Sequence, residues 1–542
     1  YGNIIYLTHP NGKITTYAHL SEYAPALADY VLKKQYEQET FDIELFPEKN
    51  KFTFKKGDVI AYSGNTGGSG GPHLHFEVRD AEDNLYNPLQ YRFSEIKDST
   101  PPTVSAFALK TMSIDARVNG KFGWIEFRPD EKGKVYTLPD TITANGLLGL
   151  EVQAFDRLDD ADNKNGNQQM VVLVNNKQHF SYLLDKVPFE KSRQVSWHIN
   201  YEVAKKYNRN FQKCYVDDGN YLPIYNAGPS KGKLLILPDQ YYNVQVDVVD
   251  SYQNVSSIKF VIKGQKPAYL YSINERVKKP DLSYDVNDNF LKVFATDTAR
   301  SPRNIVVYRG HTKFDLLPSY TQNSTSTYLY DLRAGVPDSM HFCGITEKFN
   351  FRHIIPSETE FSFYSLPMDI VFGKNSLFDT LFLQTNYTDG IYTIQDVLTP
   401  IYRPIKVTLR TDAEIADKSK YHVYNLGTGR GRAFEGGTWD GNAITFFTRS
   451  FGKYAILPDT TEPKIRLLSK SSKQIRFSIR DDLSGINSFR AEVDGKWLLL
   501  HYEHKSALLY SEKLDKTLPL SGEVILKVTD NAGNEAIYKT KI

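Results

Sequence analysis

Histidines are concentrated near the start of the chain, where four of the twelve lie in the first 75 residues: His9, His19, His73 and His75. Residues 72–78 alternate polar and apolar side chains, so a strand here places His73, His75 and Glu77 on one face. Residues two apart along a strand are separated by about 6.6 Å. Imidazole ligates metals and transfers protons near neutral pH. The pair therefore predicts a site in which one histidine binds a metal and its neighbour acts on substrate or water.

A β-hairpin is predicted ahead of this strand, because Asn-Gly at residues 11–12 is a strong two-residue turn signal. A two-residue turn pairs His9 with Ile14 and carries the same register along both strands. In that register His19 shares a face with Tyr17, while His9 points to the opposite face. His9 is therefore predicted to lie outside the site.

The segment between the hairpin and the His-x-His strand predicts a helix and a glycine-rich loop. The helix begins near Pro25, a residue suited to a first helical turn, and is an insertion between two strands. One side of it is predicted to carry Leu27, Tyr30, Val31 and Lys34. Five of the eight residues from 64 to 71 are glycine. Because glycine lets another backbone approach closely, we expect this loop to flank a groove for an extended peptide.

Five segments of the first 95 residues together resemble one known family. They are residues 1–12 (YGNIIYLTHPNG), 16–20 (TYAHL), 56–59 (KGDV), 63–67 (SGNTG) and 71–77 (GPHLHFE). The family is the lysostaphin-type zinc endopeptidases, which cleave peptidoglycan in bacterial cell walls. The resemblance covers less than a fifth of the chain, and the combination of segments is specific.

The resemblance implies a role for each of three histidines. His75 corresponds to the zinc ligand of the His-x-His pair, whereas His73 and His19 correspond to histidines that assist catalysis. It implies a zinc-activated hydroxide that attacks a peptide bond while the metal polarises the carbonyl. The family's other two zinc ligands form a His-x-x-x-Asp motif on an earlier strand, and nothing precedes Tyr1 here. The zinc site is therefore expected to be incomplete, and this chain to be an inactive fragment of an active enzyme.

Several other residues have less specific interpretations. Glu77 is expected to solubilise the strand or support His75 rather than to ligate metal. The Lys-Gly-Asp turn also occurs in lipoyl and biotin carriers, but the first methionine is Met112, which counts against a carrier. His501 and His504 are expected at the surface. One acidic loop suggests either calcium binding or a β-turn connection, and its spacing favours the turn because it does not match the helix–loop–helix pattern. Its members are Asp156, Asp159, Asp160, Asp162, Asn163 and Asn165.

Bulk properties exclude some classes of protein. With 66 Lys and Arg against 64 Asp and Glu, the net charge of +2 gives no global attraction to nucleic acid. No apolar run is long enough to predict a transmembrane segment. The two cysteines, Cys214 and Cys343, are expected to be free thiols, with an intramolecular disulfide as the less favoured alternative. No signal peptide is visible, and because the chain opens at Tyr1 without a methionine, this does not bear on secretion.

The fold is predicted to be mainly β, with a truncated antiparallel endopeptidase domain followed by several immunoglobulin-like β-sandwich modules. Two features recur along the chain: a Pro-containing linker that begins at Asp98 and at Asp459, and a strand followed by Asp-x-x-x-Asn at residues 250–254 and 530–534. They mark module starts and ends. The predicted domains are 1–95, 96–265 (immunoglobulin-like), 266–350, 351–458 and 459–542 (immunoglobulin-like).

The predicted function is that of a zinc metalloendopeptidase acting on peptidoglycan cross-links in the bacterial envelope, either periplasmic or secreted. Its expected partner is peptidoglycan peptide, and an envelope protein is a further candidate. The alternative is a non-catalytic protein that binds the wall or activates a hydrolase through the same groove. A third hypothesis is an adhesin or structural array whose β-modules carry the function.

Overall fold

The computed structural model describes residues 1–269, 271–272, 277, 279–299, 301–427 and 431–542. Antiparallel β-sheets dominate it, which confirms the predicted mainly β fold. The chain forms two compact units. One comprises Tyr1–Asp83, Thr408–Phe446 and Lys453–Ile542, and the other comprises Asn84–Val407 and Phe447–Gly452. The bounds of the five predicted domains stay a prediction. The predicted start of the 266–350 module falls partly on residues 270, 273–276 and 278, outside the described residues.

Residues 1–95 form short antiparallel strands around one helical insertion. The elements are β1 Ile5–Thr8, β2 Ile14–Ala18, β3 Leu20–Tyr23, α1 Pro25–Gln38, β4 Ala61–Ser63, β5 His75–Arg79, β6 Asn84–Tyr86 and the 3-10 helix Pro88–Tyr91. Strand β2 pairs with β1 on one side and with β5 on the other, while β3 pairs with β4. Strand β2 therefore joins the hairpin to the strand that follows the His-x-His motif.

The predicted register of the β1–β2 hairpin is wrong by one residue. Thr8 pairs with Ile14, and the backbone N–H of His9 donates to the Lys13 carbonyl at 2.8 Å. The loop is thus three residues long. Proline suits the second position of a type I turn, and Gly12, at φ +78°, adopts the left-handed conformation that closes such a loop. Proline at position 10 accounts for the difference, because it has no N–H to donate in a two-residue turn.

Helix α1 begins at Pro25 as predicted and ends where Glu39 adopts a left-handed conformation, at φ +48°. Leu27, Tyr30, Val31 and Lys34 share one side of the helix, as helical periodicity requires. The buried residues of the helix are Leu32 and Gln35, whereas the four residues assigned to that face are only half-buried. The helix is covered on a second side because Tyr36 packs edge-on against Trp497, 5.0 Å between ring centroids.

This second contact joins α1 to the C-terminal strands within the same compact unit. The Tyr36 hydroxyl donates to the Glu512 carbonyl at 2.6 Å. Phe41, just after the helix, lies 5.8 Å from the His501 ring. His501 is therefore half-buried, contrary to the predicted surface position, while His504 is exposed as expected.

Residues 96–265 are built around one extended β-core. The elements are β7 Thr103–Thr111, β8 Arg117–Val118, β9 Trp124–Phe127, β10 Asp130–Lys132, β11 Val135–Thr137, β12 Ile142–Phe155, β13 Gln169–Val174, β14 Lys177–Leu183, β15 Lys186–Pro188, the 3-10 helix Phe189–Gln194, α2 Val195–His198, α3 Tyr201–Tyr207, β16 Gln212–Lys213, β17 Tyr225–Asn226, β18 Leu234–Ile236, β19 Tyr241–Val249 and β20 Val255–Gly264. Alternate valines of β19 are buried, as period-two patterning requires. Phe107 stacks on Phe260 at 4.3 Å in this core.

Residues 266–350 contribute two four-stranded sheets, β21-β22-β26-β25 and β24-β23-β27-β28. Their bounds are β21 Asp281–Asn287, β22 Phe290–Thr296, β23 Ile305–Arg309, β24 Thr312–Leu316, β25 Tyr320–Gln322, β26 Thr325–Asp331, the 3-10 helix Leu332–Ala334, β27 Ser339–Phe342 and β28 Ile345–Lys348. The associated core cluster also includes Phe351 and Phe382. Hydrophobic contacts therefore continue past residue 350.

Residues 351–458 contribute strands to both compact units. They are β29 Phe351–Ile355, β30 Phe361–Tyr364, β31 Met368–Phe372, β32 Leu381–Thr388, β33 Ile391–Ile394, β34 Ile405–Arg410, the 3-10 helix Lys418–Lys420, β35 Tyr421–Asn425, β36 Ala433–Gly436, β37 Thr438–Asp440, β38 Ala443–Thr448 and β39 Gly452–Pro458. In one unit β32 pairs with β29 and β33. In the other, β35 pairs with β36 and β39.

Residues 459–542 form seven strands ordered β40-β41-β44-β43-β42-β45-β46. They are β40 Lys464–Lys470, β41 Ile475–Arg480, β42 Ile486–Val493, β43 Lys496–Glu503, β44 Leu508–Glu512, β45 Glu523–Asp530 and β46 Glu535–Lys541. Alternate residues of β41, from Ile475 to Ile479, are fully buried. Both cysteines are free, as predicted. None of the helices in the described part of the chain has the length and apolar character needed to cross a bilayer.

Candidate functional site

The structure brings three of the predicted histidines together. The His19 ring centroid lies 4.8 Å from that of His73 and 5.6 Å from that of His75. The Tyr1 ring packs edge-on against His75 at 5.3 Å. We call His19, His73 and His75 the three-histidine cluster. Their functional roles stay a prediction.

His19 is positioned by a break between two strands. Strand β2 ends at Ala18 and β3 starts at Leu20, and His19 between them is left-handed at φ +60°. Its backbone N–H donates to the Tyr1 carbonyl at 3.1 Å. The imidazole is 93% buried, and its Nδ1–H donates to the Thr66 carbonyl at 2.8 Å. This bond fixes the tautomer and leaves Nε2 without a partner among the described residues.

His73 is held in the same manner from the glycine-rich loop. Its backbone N–H donates to the Gly64 carbonyl at 3.0 Å, although strand β5 begins only at His75. Its Nδ1–H donates to the Gly71 carbonyl at 2.8 Å. Nε2 again has no partner among the described residues. Two imidazoles of the cluster thus each present an unpaired Nε2 that can accept a proton or hydrogen-bond a ligand.

His75 is held by a chain of charged side chains. Its Nε2 lies 2.8 Å from Glu77 Oε1, and the other Glu77 oxygen accepts hydrogen bonds from Arg79 Nε at 2.7 Å and Nη2 at 2.5 Å. Arg79 also bonds Asp83 at 2.7 Å. Burial acts to lower the pKa of Arg79, but hydrogen bonds to Asp83 and Glu77 outweigh it and raise that pKa. With Nε2 bonded to Glu77, Nδ1 is the His75 atom left for a metal.

Arg79 is the member of this chain that the sequence analysis missed. The signal for it was present, because the period-two alternation that groups His75 with Glu77 continues to Arg79. Glu77 contacts His75 directly, which is compatible with the supporting role expected of it. The carbonyl groups of Thr66 and Gly71 have no sequence signal, since any residue supplies one.

His9 lies apart from the cluster. Its Nε2 lies 2.8 Å from the hydroxyl of Thr15, near the turn of the hairpin. Among the described residues it makes no ring contact with the three clustered histidines. The predicted orientation of His9 is nevertheless wrong, together with the register from which it was argued. Its partner Thr15 lies on the same face of β2 as Tyr17, the face that was assigned to His19.

The glycine-rich loop packs against the chain's own backbone. A Cβ on Gly67 would lie 2.3 Å from the backbone nitrogen of Gly2, and one on Gly64 would lie 2.5 Å from that of Ser21. By contrast, a Cβ on Gly68 would meet nothing within 4 Å. These two glycines accommodate this chain's own N-terminal segment, and the predicted approach of another chain's backbone stays a prediction.

Gly67→Ala is expected to loosen the histidine cluster. Gly67 has φ +68°, and its alanine variant combines left-handed strain of about 1–3 kcal/mol with a collision against Gly2. Because Gly67 follows Thr66, whose carbonyl orients His19, amide exchange at residues 16–23 should accelerate in deuterium-exchange mass spectrometry. Gly68→Ala is the matched control and should leave exchange unchanged. Equal protection in both variants would contradict this view of the loop.

The cluster by itself does not form a complete metal site. Among the described residues, groups of three or more side chains that offer metal-ligand atoms within 4.8 Å of one another do not include the three histidines. Catalytic zinc is usually held by three protein ligands. Among the described residues, the three histidines therefore do not supply a three-ligand site by themselves.

The acidic loop at residues 156–165 is closed by backbone pairing. Asp156 and Asn165 exchange two backbone hydrogen bonds, at 2.9 and 2.8 Å. Asp159 accepts hydrogen bonds from Ser99 and Thr100, so it is already engaged. The carboxylate of Asp156 lies close to those of Asp98 and Asp250, two aspartates from outside the loop.

Known proteins and families are similar to parts of the chain. A family model for a Zu5-like domain matches residues 352–459. A stretch of 116 residues is 30% identical to the "DD-carboxypeptidase/endopeptidase Mpg" of Neisseria meningitidis serogroup B and of Neisseria gonorrhoeae, covering 21% of this chain and 21% of each relative. The chain thus spans about a fifth of the length of these curated relatives.

Solved structures give only weak likenesses. A bacterial ice-binding adhesin of 1.5 MDa matches at 8% identity and a TM-score of 0.13, covering 82% of this chain and 97% of that one. The human desmocollin-1 ectodomain matches at 8% identity and a TM-score of 0.13, covering 85% and 95%. Scores this low carry no argument about the fold.

Proposed function

We propose that the front of this chain is part of a zinc metalloendopeptidase that cleaves peptide cross-links of peptidoglycan. His75 is a zinc ligand, and His19 and His73 assist catalysis. The observation that carries the proposal is the convergence of the three imidazoles, two of which have Nδ1 bonded to a carbonyl and Nε2 unpaired. The similarity of one fifth of the chain to Mpg, named as a carboxypeptidase and endopeptidase, supports the same substrate class.

The residues of this chain would have separate roles in the reaction. The Glu77–Arg79 pair orients His75 and keeps its Nδ1 available for a metal. The unpaired Nε2 atoms of His19 and His73 accept a proton from water or hydrogen-bond the substrate carbonyl. Zinc, when bound, polarises a peptide carbonyl and lowers the pKa of a water molecule.

The remaining zinc ligands are assigned by the family resemblance to a His-x-x-x-Asp motif. Residues 1–95 do not contain that spacing. We therefore propose the activity for an upstream-extended protein. By this we mean residues 1–542 preceded by the residues that are naturally encoded ahead of Tyr1, as far as that motif. We further propose that it acts in the bacterial envelope, periplasmic or secreted, where the β-modules space or anchor the catalytic part.

Metal dependence tests this proposal. The upstream-extended protein should contain one zinc by elemental analysis and should digest purified peptidoglycan. Digestion should stop after treatment with a chelator and return when zinc is restored. Digestion that continues without metal, or an upstream sequence without the His-x-x-x-Asp motif, would contradict it. A zinc-free protein that binds the wall without cutting it would instead support the non-catalytic alternative.

A further inference from the structure

Two groups of three aspartates occur at separate places in the fold. Within each group, carboxylate oxygens from the three residues all lie within 4.8 Å of one another. Cluster A consists of Asp98, Asp156 and Asp250. Cluster B consists of Asp459, Asp481 and Asp530. Neither group takes part in the proposed catalysis.

Cluster A is buried and contains carboxylate oxygens without partners. Asp250 is fully buried and Asp156 is 2% exposed. Among the described residues, Oδ1 of Asp156 and Oδ2 of Asp98 have no hydrogen-bond partner, and no cationic side chain forms an ion pair with the cluster. Burying an unpaired carboxylate is costly, because its charge loses hydration without compensation.

Cluster B has the same features and an additional unpaired group. Asp530 is fully buried and Asp459 is 3% exposed. Oδ1 of Asp481 is buried and has no partner in the part of the chain that the structure describes. Tyr424 belongs to another strand, β35, and is fully buried. Its hydroxyl finds no hydrogen-bond partner among the residues that the structure describes. Burial and the charges of the three aspartates raise its pKa. The Tyr424 hydroxyl therefore lies within the electrostatic field of the three aspartates.

An asparagine braces each cluster through matching bonds. In cluster A, Asn254 Nδ2 donates to the Asp98 carbonyl at 3.2 Å and to the Asp250 carboxylate at 2.8 Å. In cluster B, Asn534 Nδ2 makes the corresponding bonds at 3.0 and 2.8 Å. The recurrent linker and the recurrent Asp-x-x-x-Asn element therefore meet in both places, which makes the arrangement a repeated structure.

The chemistry of both clusters suits one class of ligand. Three carboxylates supply hard oxygen donors and up to three negative charges, the combination that calcium prefers. Calcium–oxygen distances are about 2.4 Å, so two oxygens on one ion are at most about 4.8 Å apart. Both clusters meet this limit. Magnesium requires shorter metal–oxygen distances and near-octahedral geometry. Three carboxylates that are brought together by loops satisfy these requirements less readily.

We propose that each cluster binds one calcium-class divalent cation. The ion joins the linker aspartate, Asp98 or Asp459, to two loops. These loops hold Asp156 and Asp250 in cluster A, and Asp481 and Asp530 in cluster B. It neutralises the buried carboxylates and stabilises the fold of each module. This proposal is independent of the endopeptidase proposal.

Calcium binding to the 542-residue chain tests the idea. After chelator treatment, equilibrium dialysis against radioactive calcium should give two ions per chain. Asp156→Asn and Asp481→Asn should each leave one, and the double variant none. Asp162→Asn and Asp482→Asn change neighbouring exposed aspartates by the same charge, so both should retain two ions. Two ions in the double variant would overturn the assignment.

Thermal unfolding provides a second readout. At free calcium 100 times the dissociation constant, each site should raise the folding equilibrium constant about 100-fold, and the midpoint temperature should rise accordingly. A wild-type chain that binds no calcium, with the same midpoint in calcium and in chelator, would overturn the proposal. In that event the rival explanation is a retained proton, because burial and the charges of Asp98 and Asp250 raise the pKa of Asp156 to about 7. The wild-type stoichiometry decides even if a variant fails to fold.

Discussion

His75→Ala is expected to abolish both zinc binding and peptidoglycan digestion in the upstream-extended protein. Loss of a supporting group around a metal ligand typically weakens metal affinity 10–100-fold, so loss of the ligand itself should weaken it by more than about 100-fold. Zinc content by elemental analysis and release of soluble peptidoglycan fragments measure the two effects. They should fall together.

His9→Ala is the matched control for that experiment. It removes an imidazole from the same domain, but that imidazole is bonded to Thr15 and lies outside the three-histidine cluster. Zinc content and digestion should both stay at the wild-type level. Full activity in His75→Ala would reject the ligand assignment, and equal losses in both variants would indicate a general folding defect.

Removal of the imidazole at position 73 or 19 is expected to separate metal binding from turnover. Neither residue is assigned as a ligand, and each has an unpaired Nε2 beside His75, so His73→Ala should retain zinc. Loss of a positioned general acid or base typically lowers the rate by about 10²–10⁴-fold. We expect kcat to decrease by a factor within that range. Zinc content measured on the same samples distinguishes this result from loss of the metal.

Position 19 needs a different substitution because of its backbone. His19 is left-handed at φ +60°, a conformation that asparagine tolerates better than alanine does. His19→Asn therefore removes the imidazole with less backbone strain. It should give the same pattern as His73→Ala, with zinc retained and kcat lowered. Unchanged turnover in both variants would contradict a catalytic role for this pair.

Local features could be predicted where a few neighbouring residues decide them. The start of α1 follows from Pro25, and the common face of His75 and Glu77 follows from strand alternation. The hairpin was predicted, but its register was missed, because Pro10 adds one residue to the loop that the Asn-Gly signal alone does not indicate. Helical periodicity indicates which residues share a side of α1, but it does not reveal that Trp497 covers Tyr36.

The sequence by itself determined the mainly β architecture, the residue types of the histidine cluster and the two recurrent aspartate elements. These depend on alternation, turn chemistry and composition within a few residues. Only the tertiary structure decided which distant residues meet. Tyr36 lies on Trp497, Thr66 orients His19, and Asp98 joins Asp156 and Asp250. Such contacts arise from loop closure and complementary packing between segments far apart in the chain, which no local pattern encodes.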